Sequence, residues 1–261
     1  MHWEKMLLPY KQAADELKVK FDNISLQMKK LDKISPIFSV EARIKTIPSI
    51  LAKAKRKQIP LSFISQKIED IAGIRIICRF VDDITEIVSI IEARDDIQII
   101  DKRDYVSEMK TSGYRSYHLI ASYDVITAYG SQSIKCEIQI RTLAMNFWAV
   151  TEHSLRYKYR GKIPNEIHRR LIRAADGAFL LDSDINIIKY DILEAEKDAK
   201  TNEEIIMDIT NNIEELYNVA ESEAVEELYK RFIAIFDTQD ENKLQKFYEE
   251  IILIAKEYKI R

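Results

Sequence analysis

Two carboxylates in this chain sit where carboxylates are costly. Asp70 stands at the mouth of the apolar run 71–81, and Glu137 lies inside the run 133–141. An acid at a rigid strand end within reach of solvent suits a Mg2+ ion. An acid inside a strand is unfavourable unless it is paired or binds metal. Glu137 therefore reads as a catalytic carboxylate or as half of a cross-strand ion pair. Ahead of both, Lys45, Ser49, Lys53 and Arg56 recur at i, i+4, i+8 and i+11, the spacing of one helical face. Their mutual repulsion is relieved by an anion, and a polyphosphate fits. A solvated basic face or a patch for RNA backbone accounts for the same charges. Arg75 is the only charge in the first half of the run 71–81, and its guanidinium can stack on a purine or neutralise phosphate.

Residues 103–118 combine cations and rings. Lys110-Thr-Ser-Gly113 is a turn signal, and period two beyond it puts Tyr114, Ser116 and His118 on one face. Tyr114 offers a ring for a base, with Arg103 and Lys110 for its phosphates; ordinary strand aromatics and a satisfied surface histidine explain the same residues. In 136–142 the alternation gives Glu137, Gln139 and Arg141 one face and Ile138 and Ile140 the other. Asn146 falls one turn into the segment that follows, able to look back at the strand.

Positioning these groups requires a scaffold that changes period along the chain. Leu7, Leu8, Ala14, Leu17 and Phe21 predict a helix over 3–20, followed by a turn around Pro36 and a basic helix from near Val40. A short helix or turn covers 62–69. Runs 71–81, 97–105, 114–127 and 133–141 are rich in Ile, Val and Tyr and predict strands, with a helix over 82–93. From Thr142 the pattern is helical to the end. The predicted fold is α/β in the α+β sense: a mixed, mostly antiparallel sheet flanked by helices over 1–185, with one parallel crossover. Residues 186–261 are acidic, contain no Gly or Pro, and predict a helical C-terminal extension.

Composition narrows the class. A formal net charge of −3 excludes a surface built throughout to grip nucleic acid. Charges interrupt every apolar run near the N-terminus, so neither a signal peptide nor a membrane span is predicted, and the expected location is cytoplasmic. Cys78 and Cys136 lie in apolar runs and read as small buried hydrophobes.

Taken together and in order, DIAGIRI at 70–76, SGYRSYH at 112–118 and EIQIRTLAMNFWAVTEHSLRYKY at 137–159 resemble the synthetase domain of the RelA/SpoT homologue family, in its single-domain, RelQ-type branch. The resemblance spans roughly residues 1–190 and implies a nucleotidyltransferase-like sheet. It also implies an enzyme that moves pyrophosphate from ATP to the 3′-hydroxyl of GDP or GTP, releasing AMP, in alarmone (ppGpp) signalling. On this likeness Arg43, Lys45, Ser49, Lys53, Arg56 and Arg75 bind ATP, with Arg43 and Arg75 sandwiching adenine. Arg103, Lys110, Tyr114, His118 and Asn146 bind the guanine nucleotide. Asp70 and Glu137 manage Mg2+, and Glu137 also serves as general base. The likeness implies a homo-oligomer, a tetramer by analogy, and leaves room for RNA binding without requiring it. The chain has no His-Asp pair of the kind that long family members use for hydrolysis, so no alarmone hydrolysis is expected. Two rivals stand beside this reading: a tRNA 3′-end pyrophosphokinase of the same fold, and a non-catalytic RNA-binding module.

Overall fold

The computed structural model describes residues 3–30, 34–159, 164–198, 201–219, 222–238 and 240–258. The chain divides into two compact units, 1–188 and 189–261. The first opens with helix α1 (Trp3–Lys30), which carries Pro9 in an early turn, where few hydrogen bonds are lost to it. Its buried residues, Tyr10, Ala13, Ala14, Leu17, Phe21 and Ser25, recur at helical spacing and form one stripe. Strand β1 (Ser39–Ile44), helix α2 (Ile47–Arg56), a 3-10 turn (Leu61–Phe63) and short helix α3 (Ile64–Lys67) follow. Then come β2 (Ala72–Cys78), α4 (Val81–Glu92), β3 (Gln98–Asp104), β4 (Tyr117–Thr127), β5 (Gly130–Thr142), α5 (Leu143–Lys158) and α6 (Asn165–Asp198).

The five strands form one sheet in the order β1-β2-β5-β4-β3. β2 and β5 pair in parallel, and every other neighbour pair is antiparallel. The expected mixed, mostly antiparallel sheet is present. Its two faces differ in chemistry because the pleat sends alternate residues to opposite sides. Ile74, Ile76, Cys78, Leu119, Ala121, Cys136, Ile138 and Ile140 join the buried core with Leu17 and Phe21 of α1 and Ile84, Ile87 and Ile91 of α4. Truncating Leu17 to Ala in this core costs about 2–5 kcal/mol. Both cysteines are free and buried, as expected, and burial pushes the Cys136 thiol up to about 12.

Three local expectations are corrected. The basic helix predicted from near Val40 begins only at Ile47, because residues 39–44 are drawn into the sheet as an edge strand against β2. Lys45 therefore precedes the helix, its N–H bonded to the Ile71 carbonyl at 2.9 Å, and does not share a helical face with Ser49. Tyr114, expected in a strand, lies before β4 in the turn that Gly113 closes with φ +87°. The first helix runs on from the predicted end at residue 20 to Lys30.

In the second unit, α7 (Asn202–Tyr217), α8 (Ser222–Thr238) and α9 (Glu241–Glu257) enclose their own core of Ile205, Ile209, Ile213, Leu216, Val225, Phe232, Leu244, Phe247 and Ile251. Thr201 and Glu204 cap α7 reciprocally: Thr201 Oγ1 accepts from the Glu204 N–H, and the Glu204 carboxylate accepts from the Thr201 N–H. Among the described residues, no helix is long and apolar enough to cross a membrane.

Candidate active site

The sheet face opposite the core carries the chemistry, and strand register sets its layout. One row across the strands reads Arg43, Gly73, Glu137, Ile120 and Asp101. The next reads Glu41, Arg75, Gln139, His118 and Arg103, a polar residue on every strand. Five polar side chains abreast are tolerable only if they satisfy one another or a ligand. A β-carbon at Gly73 would meet Arg43 Cγ and Nε at 3.4 Å, an ordinary contact, so the arginine lies close against β2 there.

At one edge, Lys45, Ser49, Ala52, Lys53, Arg56 and Asp70 line an open cavity of about 270 Å³. Lys45 reaches it from the end of β1, and Ser49, Lys53 and Arg56 reach it from α2. The predicted cationic stripe is thus assembled from two elements rather than one. Lys45 Nζ lies 2.8 Å from Asp70 Oδ2, and Lys53 Nζ lies 2.8 Å from Asp70 Oδ1. Burial raises the Asp70 pKa, but the two ammonium groups outweigh it and leave the carboxyl below its ordinary range. Arg75 Nη1 donates to Glu41 Oε2 at 2.8 Å, while Arg75 Nε is buried without a partner.

Further along the face lie the residues predicted for the second ligand. Glu137 Oε1 is 3.1 Å from His118 Nδ1, and Glu137 Oε2 accepts from Gln139 Nε2 at 2.7 Å. Burial pushes the Glu137 carboxyl up, yet its His118 and Gln139 partners outweigh that and hold it below its ordinary range. The negative charge of Asp70 also weakly opposes ionisation of Glu137. Burial lowers the His118 pKa, which keeps the ring neutral at pH 7. Tyr114 Oη bonds His118 Nε2 at 2.9 Å, and Lys110 Nζ stands 4.0 Å from the Tyr105 ring centroid and 4.8 Å from that of Tyr114.

Arg103 Nη2 donates to Glu69 and its Nε to Asp101, which occupies one edge of its guanidinium. Thr142 ends β5 and caps α5, its Oγ1 accepting from the Met145 N–H at 3.1 Å. That cap sets where Asn146 stands. Asn146 Oδ1 is buried without a partner, an acceptor left for a ligand donor.

Every predicted site residue thus lies on this face, on the α2 cavity or at the start of α5. Gln139, Arg141 and Tyr105 were not assigned roles from sequence. The alternation of Glu137, Gln139 and Arg141 was the available signal for the first two. Tyr105 had none, because its place beside His118, ring centroids 5.1 Å apart, depends on β3 pairing with β4.

Comparison with known proteins places the chain in a family. Residues 42–162 match the family model described as a region found in RelA/SpoT proteins, an interval that contains all of these site residues. Over 194 residues the chain is 50% identical to the GTP pyrophosphokinase YjbM of Bacillus subtilis, covering 74% of this chain and 92% of that protein. The chain belongs to the RelA/SpoT family. Two solved structures resemble this RelA/SpoT member along most of their length. Small alarmone synthetase 1 from Bacillus subtilis bound to its product pppGpp is 49% identical with a TM-score of 0.71, covering 73% of this chain and 97% of that one. The same enzyme bound to AMPCPP matches at 45% identity with a TM-score of 0.66, covering 74% and 98%.

Among the described residues, no three His, Cys, Asp or Glu side chains converge to hold a metal ion. Asp70 and Glu137 are the two carboxylates that the sequence predicts for a metal. That set suits a hard cation such as Mg2+, which binds through one or two carboxylates and takes its remaining ligands from phosphate and water.

Proposed function

We propose that this chain is a (p)ppGpp synthetase, which transfers the pyrophosphate of ATP to the 3′-hydroxyl of GDP or GTP and releases AMP. The observation that carries the reading is the polar face of the sheet, where buried Glu137 meets His118 and Gln139 and His118 in turn meets Tyr114.

The donor triphosphate lies along Lys45, Ser49, Lys53 and Arg56, of which the two lysines pair with Asp70. Arg43 and Arg75 flank the adenine; the first lies close against Gly73, and the second has an Nε to spare. Tyr114 supports the guanine ring. Asn146 Oδ1 accepts from the guanine edge, whose N1–H and amino groups are donors. Lys110 and Arg103 bind the acceptor's phosphates, while His118 bridges Glu137 and the Tyr114 hydroxyl.

A ribose hydroxyl is a weak nucleophile at neutral pH, so a positioned base assists it. Glu137 takes the 3′-hydroxyl proton as that oxygen attacks the β-phosphorus of ATP, the bond to the α-phosphate oxygen breaks, and AMP leaves with the electron pair. Asp70 and Glu137 would hold Mg2+, which when bound offsets charge on the transferring phosphates. The remaining contribution of the chain is positioning.

The test is nucleotide chromatography after mixing the protein with ATP, Mg2+ and GDP, or GTP, with parallel Glu137→Ala and Tyr114→Ala variants. AMP and a pyrophosphorylated guanine nucleotide are expected in equal amounts from the parent, and neither from Glu137→Ala. A parallel reaction with labelled ATP and tRNA covers the rival acceptor: label appearing only on tRNA overturns the assignment.

A further inference from the structure

The contacts around Glu137 close on themselves. Glu137 Oε1 meets His118 Nδ1, His118 Nε2 meets Tyr114 Oη, and Arg141 Nη2 donates to Tyr114 Oη at 2.9 Å. Arg141 Nη2 also donates to Gln139 Oε1, and Gln139 Nε2 returns to Glu137 Oε2. Five side chains thus form a ring around one patch of the sheet face. Glu137, Gln139 and Arg141 come from alternate positions of β5, His118 from β4, and Tyr114 from the turn before it.

The chemistry of the ends fixes the direction of every bond. An ionised carboxylate only accepts, so His118 Nδ1 must carry the proton and Gln139 must turn its amide nitrogen toward Glu137. A neutral His118 then accepts at Nε2, so Tyr114 donates to it. Arg141 only donates, and it supplies both remaining acceptors, the Tyr114 and Gln139 oxygens. Two arms run from one source, Arg141, to one sink, Glu137. Arg141 is 2% exposed. A cation buried so deeply is costly, and it is retained where it organises its surroundings.

We infer that Arg141, acting through Gln139 and the Tyr114 hydroxyl, is a positioning residue that fixes the base Glu137 and the guanine platform Tyr114 in one registration. This rests on the proposed roles of Glu137 and Tyr114 and goes beyond them. Recognition of the acceptor base and abstraction of its 3′ proton become linked through the protein. A guanine that fails to seat on Tyr114 leaves Glu137 misdirected. Arg141 and Gln139 need not touch substrate for this.

The test is a double-mutant cycle that separates kcat from acceptor KM, using the full chain. Tyr114→Phe keeps the ring and removes only the hydroxyl, and kcat is expected to fall about tenfold with acceptor KM within about twofold. In an Arg141→Gln background the same change is expected to cost less than about threefold, because the arm is already broken. Gln139→Leu removes one donor to Glu137, and kcat is expected to fall severalfold with acceptor KM within about twofold. Should Arg141→Gln not fold, the Gln139→Leu/Tyr114→Phe pair supplies the cycle. Glu137→Gln serves as control. If it keeps full activity, the base assignment beneath the inference falls. If it is inactive while the Tyr114, Gln139 and Arg141 effects multiply independently, the ring inference alone is overturned.

Discussion

Lys53 and Asp70 are bound to each other across 2.8 Å, and Lys45 holds the other Asp70 oxygen at the same distance. Two cations proposed for phosphate and one acid proposed for metal thus neutralise one another in the free protein. On the proposed reading, a nucleotide entering this cavity exchanges one set of partners for another: phosphate takes the lysines, and Asp70 is released toward the cation.

Asp70→Asn separates the two halves of that exchange. Without the competing carboxylate the lysines are freer, so AMPCPP without divalent metal is expected to bind more tightly, by on the order of tenfold for one desolvated charge pair. Synthesis with Mg2+ should nevertheless fall about 100-fold or more, the scale of losing one electrostatic contributor. Isothermal titration and product chromatography check the two halves. Weaker metal-free binding in the variant would contradict the ion-pair exchange.

The acid limb of activity is expected to lie low. Glu137 and Asp70 are held below the ordinary carboxylate range, and burial keeps His118 neutral below the usual histidine value. All three are depressed groups, so their contributions are intact above the unfolded values, about 6.5 for His and about 4 for the acids. They are lost as pH falls through the lower folded values. Rates measured from pH 8 downward should pass pH 6.5 with little change and drop only toward the carboxylate range. An inflection near pH 7 would count against a neutral, buried His118.

Asp182 of α6 titrates in the opposite sense. It is buried, accepts from Thr142 Oγ1 at 2.6 Å, and desolvation lifts its pKa to about 6. A raised carboxyl favours folding fully below its unfolded value, near 4, and that advantage is lost as pH rises through about 6. Asp182→Asn keeps an acceptor for Thr142 and removes the charge. The variant should therefore melt at higher temperature than the parent at pH 8, by at most about 3 kcal/mol of stability, and show no gain at pH 4. Equal melting temperatures at pH 8 would show that the carboxylate ionises there without penalty.

Gly113 is the hinge on which Tyr114 is presented. Its φ of +87° is left-handed, and a β-carbon would stand 2.7 Å from Ala175 Cβ of α6. Gly113→Ala is expected to cost about 1–3 kcal/mol. It should also raise the acceptor KM at least severalfold while leaving the donor KM near the parent value. Denaturant melts and initial-rate kinetics in both substrates test this, and an unchanged acceptor KM would show that Tyr114 does not depend on the turn.

Much of this site could be read from residue order. The cations of 45–56, the acids at 70 and 137, and the aromatic–histidine stretch 114–118 declare themselves because helical and strand periods sort polar from apolar residues locally. The same periods gave the sheet's class and its principal strands. They failed at 39–44, where Val-Glu-Ala-Arg-Ile alternates over too few residues to be told from a helix start, and pairing with β2 decided the outcome.

What the amino-acid order settled, then, was which chemical groups exist and which side of their own element each one occupies, since that depends only on nearest neighbours. Which groups meet was settled by folding. Parallel pairing of β2 with β5 sets Gly73 beside Glu137, and antiparallel pairing of β4 with β5 sets His118 beside Gln139. The closed ring through Arg141 follows from those registers and from the Gly113 turn. Contacts of this kind join residues far apart along the chain, and their energy comes from burial and pairing across the sheet, which no local period records.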